Sequence, residues 1–255
     1  MAKTTGQIRV GIGGWTYAPW RGGMFYPPEL PQKQELGHAS RIMTAIEING
    51  SFYRNPSVAS YRSWRGQTPD GFLFSLKAPR YATQRKVLAE AAESITRFID
   101  GGLSELGDRL GPLLWQLPPS HRFDADDLSA FASLLPAQLD GRRLRHVVEA
   151  RHDSFQTPEF FAILRRHGLA TVFTDSPEFP NFDELTADFV YVRQMCSEPQ
   201  RATGYTPAAL TAIRKRAQAW AADGRDVFVY FINGAKERAP GAAQALLRQL
   251  ERAQA

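Results

Sequence analysis

Glu47 and Glu149 are two of the three carboxylates, with Asp175, that stand at or just past the ends of short, apolar, β-rich runs. Such a pair can act as acid and base, or as nucleophile and acid on a sugar, depending on the distance between them. Lys77 closes a third run, Phe74-Ser75-Leu76. A lysine shielded there can serve as a base or Schiff-base former, or hold an anion as a fixed charge. Arg151 and Arg193 follow two further runs, and their guanidinium forks match a carboxylate or phosphate. His152 is the imidazole candidate for acid–base work. Glu47, Glu149 and His152 are therefore the expected catalytic groups. Lys77, Arg151 and Arg193 are the expected anion clamp, with Asp175 in support, while Asn49, Gln116 and Asn233 orient the substrate. Trp15, Tyr17 and Tyr53 supply an aromatic wall on which a sugar or base can stack.

Each of these residues has a plainer structural role to set beside the reactive one. The carboxylates can neutralise the arginines, Lys77 can pair with Glu47 or Glu149, and His152 can be a hydrogen-bonded loop residue. The aromatic residues can form a small core that fixes a loop. Glu47, Glu149, Asp175 and His152 are of types that bind metals, but no HExxH or paired-cysteine spacing accompanies them, so no metal is expected. The sequence indicates no cofactor. Gly11-Ile12-Gly13-Gly14-Trp15-Thr16 has threonine where a dinucleotide fingerprint needs its third glycine.

What must bring these residues together is a set of eight runs: Ile8–Ile12, Thr44–Ile48, Phe72–Leu76, Leu113–Trp115, His146–Val148, Ala170–Thr174, Phe189–Val192 and Val227–Ile232. Helical spacing falls between most of them. Leu88 to Ile99 repeats every three to four residues, Thr157-Pro158 and Thr206-Pro207 read as cap and first turn, and Asn55-Pro56 is expected to open a helix. Eight alternations of this kind predict an α/β fold, a (β/α)8 TIM-like barrel spanning 1–255 as a single domain, with the strand ends gathered in one mouth. A doubly wound open sheet is the competing architecture. Two connections are unusual. Gly14–Ser40 is a long aromatic loop, and Ser176–Ala187 is so short that its helix is one turn or missing.

The chain of 255 residues carries a net charge of +5, with arginine clusters at Arg142-Arg143-Leu144-Arg145 and Arg214-Lys215-Arg216. An anionic partner or a solvated basic surface would account for it. Cys196 is the only cysteine, so no intramolecular disulfide forms. No apolar run is long enough for a membrane span, and Met1–Gln7 is polar and unlike a secretory signal, so the expected location is the cytoplasm. Nothing in the sequence indicates an oligomeric state.

Blocks along most of the chain carry a resemblance. They include Gly13-Gly14-Trp15-Thr16-Tyr17, Trp20-Arg21-Gly22, Phe25-Tyr26-Pro27, Glu47-Ile48-Asn49 and Ser51-Phe52-Tyr53-Arg54. Further on come Phe74-Ser75-Leu76-Lys77-Ala78-Pro79, Gln116-Leu117-Pro118-Pro119, Glu149 with Arg151-His152, Asp175-Ser176-Pro177, Tyr191-Val192-Arg193 and Tyr230-Phe231 with Asn233. In these blocks the chain resembles the DUF72 (YecE-like) proteins, a family of unknown function. The resemblance implies a TIM-like barrel and supplies no reaction. Gln84 and Gln194-Met195-Cys196 stand where the family often has histidine-containing segments, and Ala150 and Phe155 also depart from it. A mechanism that needs either histidine is thereby put in question for this chain. The expected function is that of an enzyme acting at the barrel mouth, by carboxylate acid–base chemistry, on a small anionic sugar-like substrate, phosphorylated or carboxylated. Nucleic-acid binding or phosphodiester processing, and a non-catalytic barrel scaffold, are the alternatives.

Overall fold

The computed structural model describes residues 5–253. Met1–Thr4, part of the polar start read as lacking a signal segment, lie outside the described residues, as do the last two residues of the 1–255 unit. Eight parallel strands close into a barrel: β1 (Ile8–Gly13), β2 (Ala45–Ile48), β3 (Leu73–Lys77), β4 (Leu110–Gln116), β5 (His146–Glu149), β6 (Ala170–Thr174), β7 (Phe189–Gln194) and β8 (Asp226–Phe231). The ring shuts where Ile12 of β1 pairs with Phe231 of β8. This is the predicted TIM-like barrel, and it excludes the open sheet.

Alternation along the strands decides which side chains enter the barrel. Leu114, Val147, Val172, Tyr191, Phe228 and Tyr230 fill its interior. Their neighbours Trp115, Val148, Phe173, Val192 and Val229 face outward and pack under the helices. Gly11 of β1 lies inside, where a Cβ would fall 1.9 Å from the carbonyl oxygen of Ala45. Only glycine lets β1 and β2 approach so closely at that point. Ser75 and Tyr230 join hydroxyls across the interior at 2.7 Å.

The helices are α1 (Glu35–Ile42), α2 (Val58–Gln67), α3 (Arg80–Thr83), α4 (Ala92–Ile99), α5 (Ala125–Leu134), α6 (Pro158–His167), α7 (Pro207–Ala222) and α8 (Ala239–Arg252). Thr157 and Thr206 cap α6 and α7, their hydroxyls accepting the N–H of Phe160 and Ala209, with proline in the first turn of each. Three boundaries differ from expectation. Ser57, not Asn55, caps α2, because its hydroxyl accepts the Ser60 N–H. The Leu88–Ile99 stretch breaks into a 3-10 turn, Leu88–Ala91, followed by α4. The Gly14–Ser40 connection already becomes helical at Glu35. No helix lies between β6 and β7, as the short prolines-bearing connection predicted. A two-stranded ribbon, Gln138–Leu139 and Arg142–Arg143, was not foreseen. Its turn is Asp140-Gly141, both at positive φ, which is the usual two-residue hairpin signal.

Behind β4 and β5, Trp115 Nε1 donates to His146 Nδ1 at 3.0 Å, and His146 Nε2 donates to the Pro136 carbonyl at 2.8 Å. Burial pushes this imidazole down from 6.5 to about 4. It stays neutral in the fold, whereas the unfolded chain takes up a proton below about pH 6.5. Stability from this residue is therefore complete above pH 6.5 and lost as pH falls toward 4, about 3 kcal/mol in all. In His146→Leu the urea-derived stability should be lower at pH 7, but its fall between pH 7 and pH 5 should be shallower than in the wild type. An unchanged slope would place the pH sensitivity elsewhere.

Candidate active site at the barrel mouth

The inward positions at the carboxyl ends of the strands bring the sequence-predicted residues to one place. Gln116 is the Cα partner of Glu149, Glu47 that of Ser75, and Arg193 is bordered by Thr174 and Tyr230. Arg193 lies in the centre and is 2% exposed. Its Nε and Nη2 donate to Glu47 Oε2 and Oε1 at 3.0 and 2.9 Å, and its Nη1 donates to Glu149 Oε2 at 2.7 Å. Tyr191, one layer deeper on β7, donates its hydroxyl to Glu47 Oε2 at 2.8 Å. Arg151 donates through Nε and Nη2 to Glu149 Oε1 at 3.1 and 3.0 Å, and its guanidinium lies 4.2 Å from the centre of the Phe179 ring.

These bonds leave every oxygen of Glu47 and Glu149 with a protein donor. Burial alone would raise the Glu149 carboxyl, but Arg193 and Arg151 outweigh it and hold the group below its usual range. Burial alone would lower the Arg193 guanidinium, and Glu149 and Glu47 more than reverse that. All three nitrogens of Arg193 meet carboxylates of the protein, so the arginine expected to clamp a ligand is instead the hub of an internal network.

Lys77 behaves differently. It is 9% exposed, and its Nζ sits 3.8 Å from the centre of the Phe52 ring. Among the described residues it has no ion-pair partner. Burial and the nearby Arg193 lower its amine from 10.5 to about 8, with Glu149 and Glu47 opposing. The face of Phe52 favours the ammonium by about 1 kcal/mol. That is well below the ~3 kcal/mol that the fall to about 8 represents.

The other predicted residues divide between rim and scaffold. His152 Nδ1 accepts the Ser154 N–H at 3.0 Å and meets the Ser154 hydroxyl, so the ring caps a turn. Asp175 accepts the Met195 N–H and the Tyr205 hydroxyl, the latter at 2.8 Å, which pins the loop after β6 to the loop after β7. Tyr53 is 70% exposed, and Asn233 is exposed with its side chain outside the network. Tyr17 lies with its ring under Lys236 at 4.8 Å and meets Trp20 edge-to-face at 5.3 Å. Trp20 and Tyr26 are buried in the main core, with Tyr17 and Phe25 packed against it, so most of the aromatic loop serves the scaffold. Trp15 is the exception. With Trp64, Asn49, Ser51, Arg54 and Ser57 it lines a cavity of about 580 Å³ beside the mouth. Arg54 has no side-chain partner there among the described residues. Sequence reasoning missed Tyr191 as a member of the network, although it stands two residues before Arg193 on the same face. It also passed over Trp64 as a cavity wall, whereas Tyr53-Arg54 already read as an aromatic and cation pair suited to a ligand.

No group of three His, Cys, Asp or Glu side chains converges on a metal-sized point among the described residues. The Arg142-Arg143-Leu144-Arg145 cluster lies at the opposite end of the barrel, where Arg143 pairs with Asp188 and Arg145 with Asp226. Replacing the hub should expose how much it holds. Arg193→Met leaves two buried carboxylates without their shared cation and should cost about 3–5 kcal/mol in urea unfolding. A loss below 1 kcal/mol would show that the network is incidental to the fold.

Among the described residues, no helix is long and apolar enough to cross a membrane. No curated protein matches the chain. A DUF72 family protein (TM1631) of Thermotoga maritima is similar at 26% identity and TM-score 0.76, over 97% of this chain and 99% of that one. A DUF72 family protein (EF0366) of Enterococcus faecalis has 15% identity and TM-score 0.75, over 96% of each chain. The 3-keto-D-glucoside 4-epimerase YcjR of E. coli, at 14% identity and TM-score 0.54, covers 96% of this chain and 100% of its own, and shares the fold alone. The sequence profile described as "Protein of unknown function DUF72" matches residues 9–255. With that match over nearly its whole length, the chain belongs to the DUF72 family.

Proposed function

We propose that this protein is an enzyme that moves a proton on a small, anionic, sugar-like substrate at the barrel mouth, with Lys77 as the working base. The carrying observation is the Lys77 amine, buried against Phe52, unpaired, and lowered to about 8. Roughly a quarter of it is neutral at pH 7.5, against about one part in a thousand for an ordinary lysine. A base poised near the working pH combines availability with basicity. Glu47 and Glu149 were expected to do this work. With their oxygens bonded to Arg193, Arg151 and Tyr191, they are assigned here to electrostatics: they surround the reacting centre with fixed charge and fixed geometry.

The cavity beside the mouth suits the rest of such a substrate. Its volume of about 580 Å³ is that of a small-ligand site. The Trp15 and Trp64 indoles, at 5.2 Å in an edge-to-face pair, give an apolar wall for a sugar ring. Asn49 and Ser51 offer hydrogen bonds, and Arg54 offers an unpaired guanidinium for a phosphate or carboxylate. The Gly50–Phe52 turn separates this cavity from Lys77 by one residue, and Ser51 Oγ donates to the Lys77 carbonyl at 2.7 Å.

The test is solvent exchange. A panel of phosphorylated and carboxylated sugars is incubated with the protein in deuterated water, and deuterium at carbon-bound positions is read by NMR. Exchange should rise with pH through about 8, fall about 10²-fold or more in Lys77→Met, and require more sugar for half-saturation in Arg54→Gln. Exchange that is equally fast in Lys77→Met would remove the lysine from the chemistry.

A further inference from the structure

We propose that Lys77 and Gln116 together form a covalent subsite for α-hydroxycarbonyl compounds, Lys77 Nζ condensing with the carbonyl carbon while Gln116 Oε1 accepts the hydroxyl on the neighbouring carbon. This rests on the reading of Lys77 as the reactive group of the mouth, and gives it, toward α-hydroxycarbonyl compounds, the role of nucleophile in place of that of base.

Two independent observations support it. The first is the state of Lys77. An amine that pairs with a carboxylate is held as ammonium and cannot attack a carbonyl. Here the carboxylates within electrostatic reach, Glu47 and Glu149, are occupied by Arg193, Arg151 and Tyr191. The lysine end is left against an aromatic ring with no anion bonded to it. The second is Gln116. Its side chain is 7% exposed, and its Oε1 is buried with no hydrogen-bond partner. A buried amide oxygen without a donor costs about 1–3 kcal/mol, and a ligand hydroxyl arriving at that point would recover it.

The strand register brings the two together. Lys77 of β3 is the Cα partner of Leu114 on β4, and Gln116 lies two residues further on, on the same inward face. Adjacent strands at that offset separate the two Cα atoms by roughly 8 Å, which the lysine arm and a two-carbon unit together span. The carbonyl and its α-hydroxyl therefore match the pair in order and in scale.

The step balances without an external reagent. The Nζ lone pair adds to the carbonyl carbon, and a proton passes from nitrogen to the carbonyl oxygen. The proton that the resting ammonium released to solvent before the attack is taken up again by the carbinolamine hydroxyl, which leaves as water while the nitrogen lone pair forms the C=N bond, giving a protonated imine. Its positive charge replaces that of the ammonium, beside Glu47 and Glu149, so the charge of the mouth is unchanged from the protonated resting state. The imine in turn acidifies the carbon that bears the hydroxyl.

The experiment traps the imine. Glycolaldehyde and acetaldehyde, which differ by that hydroxyl, are each supplied with sodium cyanoborohydride at pH 7.5, and the alkylated lysines are mapped by mass spectrometry. The chain has six lysines, Lys3, Lys33, Lys77, Lys86, Lys215 and Lys236, so each site is read separately. Rates are normalised to exposed Lys33. Glycolaldehyde should label Lys77 about tenfold faster than Lys33, and should be preferred over acetaldehyde at Lys77 alone. Gln116→Met should erase the preference while Lys77 is still labelled about tenfold faster than Lys33, an advantage that an unfolded chain would lose. Labelling confined to the other lysines would overturn the proposal, and so would a preference that survives in Gln116→Met. If sugars still exchange carbon-bound protons through Lys77 while no adduct forms, the covalent subsite fails and the base assignment stands.

Discussion

A single buried guanidinium organises the centre of this barrel. Arg193 binds Glu47 across the interior and Glu149 to one side, and so links the second, fifth and seventh strands. In a medium of low polarity none of these three charges is tolerable alone. The two carboxylates would repel each other, and the arginine would lose its hydration without replacement. Together they are mutually satisfied, with Tyr191 completing Glu47 and Arg151 completing Glu149. The arrangement is directional as well as neutralising, because each guanidinium nitrogen meets one carboxylate. A mouth built this way is rigid before any ligand arrives.

That rigidity gives Lys77 its character. The network uses up the anions that would otherwise hold the amine as ammonium, and presents Arg193 as a neighbouring positive charge. Phe52 closes over the lysine from the turn after β2. Opposite tendencies are thus set side by side. The Glu149 carboxyl is held below its usual range while the Lys77 amine is also lowered, one by attraction to cations and the other by burial and repulsion from one. The outcome is a fixed set of charges around one group that can change its own.

Much of this was legible in the residues. The eight strands followed from β-branched runs that repeat with helical spacing between them, and the charged or amide residue at or just past the end of most runs marked the mouth. The reason is geometric: a residue just past the last hydrophobic position of a barrel strand has nowhere to point but the rim or the centre. The chemistry at the centre was not legible in the same way. Glu47, Glu149 and Arg193 read equally well as reactive groups or as partners, because pairing depends on distances across the barrel that no local pattern encodes. Tyr191 was hidden for the same reason, since its hydroxyl meets a residue 144 positions away. The Asp140-Gly141 turn is a different case: its signal was present and local, and the charged arginines beside it masked the ribbon as a surface basic cluster.

The connection between β6 and β7 has no helix to lay behind the wall. It crosses the rim first, anchored by Asp175 to Met195 and Tyr205, sets the Phe179 ring against the guanidinium of Arg151, which in turn grips Glu149, and then packs Phe182 against Phe160 and Phe161 of α6. Most segments of the shell are buttresses that stiffen the strands from outside. This one is a strap drawn over the top, and it reaches the innermost charges through two side chains, Phe179 and Arg151. The posture of an outer ribbon of chain and the electrical balance at the bottom of the well thereby belong to the same mechanical part.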